Sequence, residues 1–236
     1  MNPALRIEDL GKSFTVHQLG KHIRACTDVH LELGHGEFGG ITGKSGSGKS
    51  TVLKMIYRTY LPEGGKVWYD SARFGLVDIS RIGERDMLFL RRHEIGYVSQ
   101  FLNVPPRSTA REIVEQAAVE TGDTAESSKE KAAEMLRHFE LGEELWDSYV
   151  STFSGGEKLR LNVARAMIKG PRLLLLDEPT ASLDSHSKGK VRELIERLKA
   201  QGTTMLGIFH DLEFMDGLCD RTYGMAAGKL EEFMTC

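Results

Sequence analysis

Gly43-Lys44-Ser45-Gly46-Ser47-Gly48-Lys49-Ser50 constrains this chain more than any other stretch. It fits the pattern G-x-x-x-x-G-K-[ST], which arises by chance in a chain of this size on the order of once in a hundred. Phe38 to Thr42 before it reads as a short strand. Val52, Leu53, Ile56 and Tyr60 after it fall on one helical face. Glycines let such a loop fold tightly, so that its N–H groups surround phosphate oxygens while the helix amino end adds a favourable dipole. Lys49 is then placed to reach terminal phosphates and Ser50 to ligate Mg²⁺. A plain glycine–serine linker has the same composition, but not a strand before it and a helix after it.

The rest of the chain alternates strands and helices, which indicates an α/β sheet. Val29-His30-Leu31-Glu32-Leu33 alternates and turns at Gly34-His35-Gly36, so the first forty residues read as short strands with turns. Ile95 to Val98 is a short strand ending at Ser99-Gln100. Leu173 to Leu176 is a continuous apolar run, suited to a strand buried on both faces of a parallel sheet. Thr203 to Phe209 is another such strand, ending at His210-Asp211. Thr222 to Phe233 reads as a hairpin through Ala227-Gly228. Between Pro105 and Lys169 the pattern is helical throughout, with apolar faces at Ile113/Val114/Ala117/Ala118, Ala132/Met135/Leu136/Phe139 and Leu159/Val163/Ala164/Met167. Gly170-Pro171 stops the last of these. A further helix carries Val191, Leu194, Ile195 and Leu198 and closes at Gly202. The helix-only block reads as an inserted subdomain at about 101–169.

Composition removes other classes. Lys and Arg total 31 against 34 Asp and Glu, a formal net charge of -3, without the basic surplus of a nucleic-acid binder. No purely apolar run is longer than that of Leu173 to Leu176, which is too short to span a bilayer. Met1 to Leu10 shows no signal-peptide apolar stretch. Cys26, Cys219 and Cys236 are scattered without a C-x-x-C pair. The expectation is a reduced, cytoplasmic chain without a zinc or iron–sulfur site.

Parallel sheets place ligands at the carboxyl ends of their strands. Gly43 onward, Asp177-Glu178 and His210 all sit at such ends. A carboxylate at Asp177, beside a phosphate-binding loop, is placed to hold Mg²⁺. Its neighbour Glu178 can orient and deprotonate an attacking water. Ser154-Gly155-Gly156-Glu157 begins the Leu159–Met167 helix and reads as a capping box, Ser154 at the N-cap and Glu157 at N3. A capping box needs no glycines. Two of them in a first turn are unfavourable unless something approaches the backbone closely, and a bare helix amino end accepts anions. Both readings hold together.

In order, the glycine-rich loop, Gln100, Ser154-Gly155-Gly156, Asp177-Glu178, Ser182-Leu183-Asp184 and His210 resemble the motifs of an ATP-binding-cassette (ABC) ATPase. The resemblance covers essentially the whole chain, 1–236. It implies a P-loop NTPase fold with an amino-terminal antiparallel β subdomain and the inserted helical subdomain. It implies ATP and Mg²⁺, held by Gly43 to Ser50 with Thr51 alongside. It also implies a head-to-tail pair with a second cassette, alike or different, in which Ser154, Gly155, Gly156 and Glu157 meet the ATP on the opposite P-loop. Gln100 would contact Mg²⁺ and the attacking water, Asp184 the opposite subunit, and His210 the γ-phosphate. Phe14 is the candidate to stack on adenine. Simpler roles stay open: Gln100 as a strand-end polar residue, Asp184 as a helix N-cap, Phe14 as core. Phe153 and Glu157 stand where the family's signature usually has Leu and Gln. A non-hydrolysing clamp is disfavoured because Glu178 and His210 are both present. A chromosome-maintenance ATPase is disfavoured because there is no room for heptad arms.

Several stretches resemble a narrower group, the L subunit of the bacterial phosphonate carbon–phosphorus lyase system. They are Tyr60-Leu61-Pro62, Val98-Ser99-Gln100-Phe101-Leu102 with Pro105-Pro106-Arg107, Ser151 to Glu157, and Gly207 to Asp211. That resemblance implies soluble lyase core subunits as partners. Their chemistry joins an alkylphosphonate to the ribose of ATP, giving ribose 1-phosphonate 5-triphosphate. The alternative is the ATPase of a membrane transporter of the lipoprotein- or macrolide-export kind, with the Gln100 region docking a membrane permease.

Overall fold

The structure is a computed structural model that describes residues 2–16, 20–181 and 183–233. Ser182 and Cys236 lie outside the described residues.

Two sheets organise the chain. The first is antiparallel, in the order β2-β1-β4-β5. It is built from β1 (Leu5–Val16), β2 (Lys21–Leu33), β4 (Gly64–Ser71) and β5 (Gly75–Asp78). The second has six strands in the order β10-β9-β3-β8-β7-β6. These are β3 (Phe38–Thr42), β6 (Ile95–Val98), β7 (Leu173–Asp177), β8 (Thr204–Ile208), β9 (Arg221–Ala226) and β10 (Lys229–Phe233). Strands β9, β3, β8, β7 and β6 are mutually parallel, and β10 closes antiparallel on β9. The helices are α1 (Lys49–Ile56), α2 (Glu84–His93), α3 (Ala110–Val119), α4 (Ala125–His138), α5 (Glu143–Trp146), α6 (Gly155–Met167), α7 (Ser185–Ala200) and α8 (Leu212–Met215).

The four-leucine run shows why the second sheet sits at the centre. Leu173 and Leu175 pack with the antiparallel sheet and α1. Leu174 and Leu176 pack with the helical block, α6 and α7. Alternate residues of one strand thus feed two cores, so every position in the run must be apolar.

Several sequence expectations need adjustment. The opening strands are long, not short: β1 has 12 residues and β2 has 13. Their register shifts between Ile7 and Ser13, and Asp9 and Asp28 both adopt positive φ. Such bulges interrupt the polar–apolar alternation and hide the strands' continuity. Tyr60 lies beyond α1, which ends at Ile56. Strands β4 and β5 and helix α2 have no counterpart among the sequence expectations. Helix α2 buries only Met87 and Leu90, so its apolar stripe is faint. The hairpin at Ala227-Gly228 forms as read, with φ of 48° and 81° at its two central residues.

Candidate functional site

Strands β3, β8 and β7 are neighbours, with β6 beside β7, and all four run the same way. Their carboxyl ends therefore bring four separate segments to one edge: the glycine-rich loop, His210, Asp177-Glu178 and Gln100.

The loop between β3 and α1 is held by glycines at two points. Gly48, the N-cap of α1, has φ 109°, and a Cβ there would lie 2.2 Å from the Ala25 carbonyl oxygen. At Gly43, φ is 144° and a Cβ would lie 2.2 Å from the Met225 carbonyl oxygen. No other residue type fits either place. Lys49 is 4% exposed. Its ammonium donates to the Gly43 and Lys44 carbonyl oxygens at 2.7 and 3.0 Å. Burial lowers its pKa, while Glu178 and Asp177 pull the other way. The lysine therefore arches over its own loop with both carboxylates close enough to be felt. Ser47 Oγ is buried without a hydrogen-bond partner among the described residues. A cleft of about 600 Å³ opens between this loop and the β9–β10 turn, lined by Lys44, Ser45, Gly46, Met225 and Ala226 among others.

Asp177, 7% exposed, closes β7. Its Oδ1 accepts from Ser50 Oγ at 2.9 Å and its Oδ2 from the Tyr97 hydroxyl at 2.6 Å. Ser50 and Asp177 thus form one oxygen-rich corner at the start of α1. Hard divalent cations prefer oxygen ligands, and Mg²⁺ is commonly held by one or two carboxylates plus substrate phosphates. The corner fits that ion without a dedicated protein cage. Among the described residues no group of three or more His, Cys, Asp or Glu is placed to hold a metal.

Glu178 follows at φ 54°, a left-handed conformation that non-glycine residues adopt at a cost of about 1–3 kcal/mol. The bend ends the strand abruptly and carries the carboxylate to His210, whose Nε2 lies 2.8 Å from Glu178 Oε1. The acid and the histidine of two neighbouring strand ends thus form one unit.

The Ser154 segment is finished locally. Ser154 Oγ accepts from the Glu157 amide at 3.3 Å, and Glu157 Oε2 accepts from the Ser154 amide at 2.7 Å. That bond holds the Glu157 carboxyl below the usual carboxylate range. A Cβ at Gly155 would lie 3.1 Å from Leu183 Cδ2, whereas one at Gly156 would meet only ordinary contacts, the nearest Ser187 Oγ at 3.5 Å. No contact among the described residues explains the second glycine. Asp184 does cap a helix, accepting from the Ser187 amide at 2.9 Å. Gln100 is exposed and makes none of the bonds that join Ser50, Asp177 and Tyr97. It lines a small groove of about 200 Å³ with Phe101, Lys158, Pro179 and Leu183 among others. Phe14 is half-buried, and its ring meets Tyr60 edge-on at 5.1 Å with Lys12 Nζ 5.5 Å from its centre. It pairs with Ile23, two residues from the Ala25 that touches Gly48. Tyr97 is the member of the site that motif reading did not find, because no motif contains it.

The family model described as ABC transporter matches residues 26–181. The chain belongs to the ABC transporter family. Its cassette is an ATPase of that family. It is 37% identical over 211 residues to a macrolide export ATP-binding/permease protein of Brucella abortus, spanning 89% of this chain but only 31% of that protein. An uncharacterized ABC transporter ATP-binding protein of Thermotoga maritima is 34% identical, covering 91% of this chain and 90% of its own length. A methionine import ATP-binding protein of Carboxydothermus hydrogenoformans is 33% identical over 94% of this chain and 64% of its own. Among solved structures, a post-hydrolysis dimer of the cassette MJ0796 bound to ADP and Pi superposes with a TM-score of 0.87 at 28% identity, covering 98% of this chain and all of that one. These likenesses do not support the resemblance to the phosphonate lyase L subunit. Among the described residues no helix is long and apolar enough to cross a membrane.

Proposed function

We propose that this cassette is the ATP-hydrolysing component of a membrane transporter of the lipoprotein- or macrolide-export kind. The observation that carries the hydrolytic part is the meeting of Ser50 with Asp177, and of Glu178 with His210, beside the Lys49 loop. The transport part rests on the Brucella and Carboxydothermus relatives.

The residues divide the reaction between them. Backbone N–H groups of Gly43 to Ser50 and the side chains of Lys49 and Thr51 bind the ATP phosphates, and Phe14 takes the adenine ring. Ser50 and Asp177, with Gln100, would hold Mg²⁺, which would supply charge neutralisation on the phosphate oxygens. Glu178 accepts a proton from water as the water oxygen attacks the γ-phosphorus. The bond to the β-phosphate bridging oxygen breaks, leaving ADP and phosphate. His210 fixes Glu178 and faces the departing phosphoryl group. A second cassette completes the site: its Ser154, Gly155 and Gly156 approach the γ-phosphate and its Asp184 contacts this chain across the pair. The exposed Ser154 and Gly155 at the amino end of α6 support that approach. The whole chain, 1–236, then acts as one cassette, with helices α3 to α6 as its inserted lever.

A second reading, the soluble lyase-associated ATPase, is favoured by the stretches Val98 to Leu102, Ser151 to Glu157 and Gly207 to Asp211. One experiment separates the two. Tagged Glu178→Gln protein is captured with ATP and Mg²⁺ from the membrane and soluble fractions of cells using a phosphonate as phosphorus source. Its partners are then identified by mass spectrometry. An integral permease in the eluate is the expected result. A soluble lyase core particle instead overturns the transport reading in favour of the second.

A further inference from the structure

We propose that Tyr97 is a positioning residue that fixes the metal-holding carboxylate of Asp177. The inference rests on the nucleotide reading above and adds to it a residue outside every motif of the chain.

The geometry begins with the strand. Tyr97 lies on β6 opposite Leu175 of β7, two residues before Asp177. Its hydroxyl donates to Asp177 Oδ2 at 2.6 Å, the short range of a hydrogen bond to an ionised acceptor. The other carboxylate oxygen accepts from Ser50 Oγ. The two oxygens therefore have different donors, from elements far apart in sequence. The χ2 torsion of an aspartate is broad and roughly two-fold, so one donor alone leaves the carboxylate free to turn. Two donors set which oxygen faces Ser50. Asp177 is nearly buried, so water is a poor substitute for the phenol.

The tyrosine is itself held. Its ring lies against Tyr57, centroids 4.9 Å apart and planes tilted 41°. The Arg91 guanidinium sits 4.8 Å from the Tyr57 ring centre, and Arg91 Nε donates to the Tyr57 carbonyl oxygen at 2.8 Å. Among the described residues the Tyr97 hydroxyl has no other hydrogen-bond partner. A phenylalanine fills the same space against Tyr57. What the hydroxyl adds is the bond to Asp177.

The test reads metal retention rather than turnover. In the Glu178→Gln background, with ATP bound and the excess nucleotide removed, Mn²⁺ is titrated and its free signal followed by electron paramagnetic resonance. Replacing a partner of a metal-ligating group commonly costs about 10–100-fold in metal affinity. Tyr97→Phe is expected to weaken Mn²⁺ retention by about tenfold or more, and to leave metal-free ATP binding within about twofold. Tyr57→Phe, which keeps the ring and removes a hydroxyl that has no hydrogen-bond partner among the described residues, is expected to match the parent. Equal Mn²⁺ affinity in parent and Tyr97→Phe overturns the inference, as does an equal loss in Tyr57→Phe. A parent that retains no Mn²⁺ in the presence of ATP overturns the nucleotide reading itself.

Discussion

The two segments proposed to face phosphate in this cassette are built in opposite ways. The Lys49–Ser50–Asp177 corner is buried and joined across long sequence separations: the Ser50–Asp177 bond spans 127 residues and the Tyr97–Asp177 bond spans 80. The Ser154 segment is exposed, and its bonds reach only three residues. The first is an arrangement that only the folded chain can make, preorganised before substrate arrives. The second is a helix end whose capping box satisfies the Ser154 and Glu157 amides, and it holds a glycine at 156 that no contact among the described residues requires. Under the proposed pairing, the first segment is complete within one chain and the second is the one that a second cassette would finish. Substitutions in the first half should act on binding and bond breaking in each chain. Substitutions in the second should act on pairing.

The largest effect is expected at Lys49. Its ammonium is the one loop cation that the fold buries beside both carboxylates. Lys49→Ala is expected to abolish ATP binding, measured by equilibrium dialysis or a fluorescent nucleotide, while the melting temperature stays near that of the parent. ATP binding at parental affinity breaks the assignment of the buried half. Glu178→Gln comes next. Loss of a general base typically lowers rates by about 10²–10⁴-fold. The variant should bind ATP normally and release phosphate slower by that factor. Hydrolysis at the parental rate removes Glu178 from the role of base.

The same contrast decides what could be read before the fold was known. The Gly43–Ser50 loop, the four-leucine strand and the Ser154–Glu157 box are local patterns, and each lies where its pattern places it. The alternation of Leu173 to Leu176 between two cores follows directly from an apolar run with strand period. What escaped is tertiary. Tyr97 acts through a strand neighbour, and a single tyrosine in Ile95-Gly96-Tyr97-Val98 carries no signal of that. The left-handed bend at Glu178 is equally invisible, because glutamate gives no hint of positive φ. β1 and β2 look short because bulges break their alternation. Strand β4 begins with two glycines at Gly64-Gly65, and α2 buries two side chains, so neither offers a clear period.

A smaller effect on the free chain, and a larger one on the pair, is expected at Ser154. Removing a serine N-cap costs about 1 kcal/mol, which for a chain of this size lowers the melting temperature by about 2–4 °C. Ser154→Arg should show that modest loss as a monomer. It should also abolish ATP-dependent pairing of the Glu178→Gln protein, sized by light scattering, because the long cation occupies the space through which a partner's phosphate approaches. Undiminished pairing breaks the contrast between a complete half and a shared half.

The smallest effect sharpens the same contrast from the acid side. The Ser154 amide donates to the Glu157 carboxylate and holds its pKa below the ordinary value. As pH falls, the unfolded chain takes up its proton at this position before the folded chain does. The unfolded state then binds more protons, so stability declines with falling pH. The contribution is fully present above the unfolded carboxyl pKa and is lost as pH drops through the folded one. Glu157 is half-exposed, so solvent screening keeps it below about 1 kcal/mol. Glu157→Gln keeps an acceptor for the Ser154 amide and carries no titrating charge. Urea unfolding of the two proteins from neutral pH down through the carboxylate range should show the parent losing its advantage over Glu157→Gln as the pH falls. ATP hydrolysis at neutral pH by a single-site assay on Lys49-intact protein should change far less than in Glu178→Gln. A pH-independent stability difference means that the capping box, although present in the geometry, contributes no charge-dependent stability, and that the exposed half is held by its neutral hydrogen bonds alone.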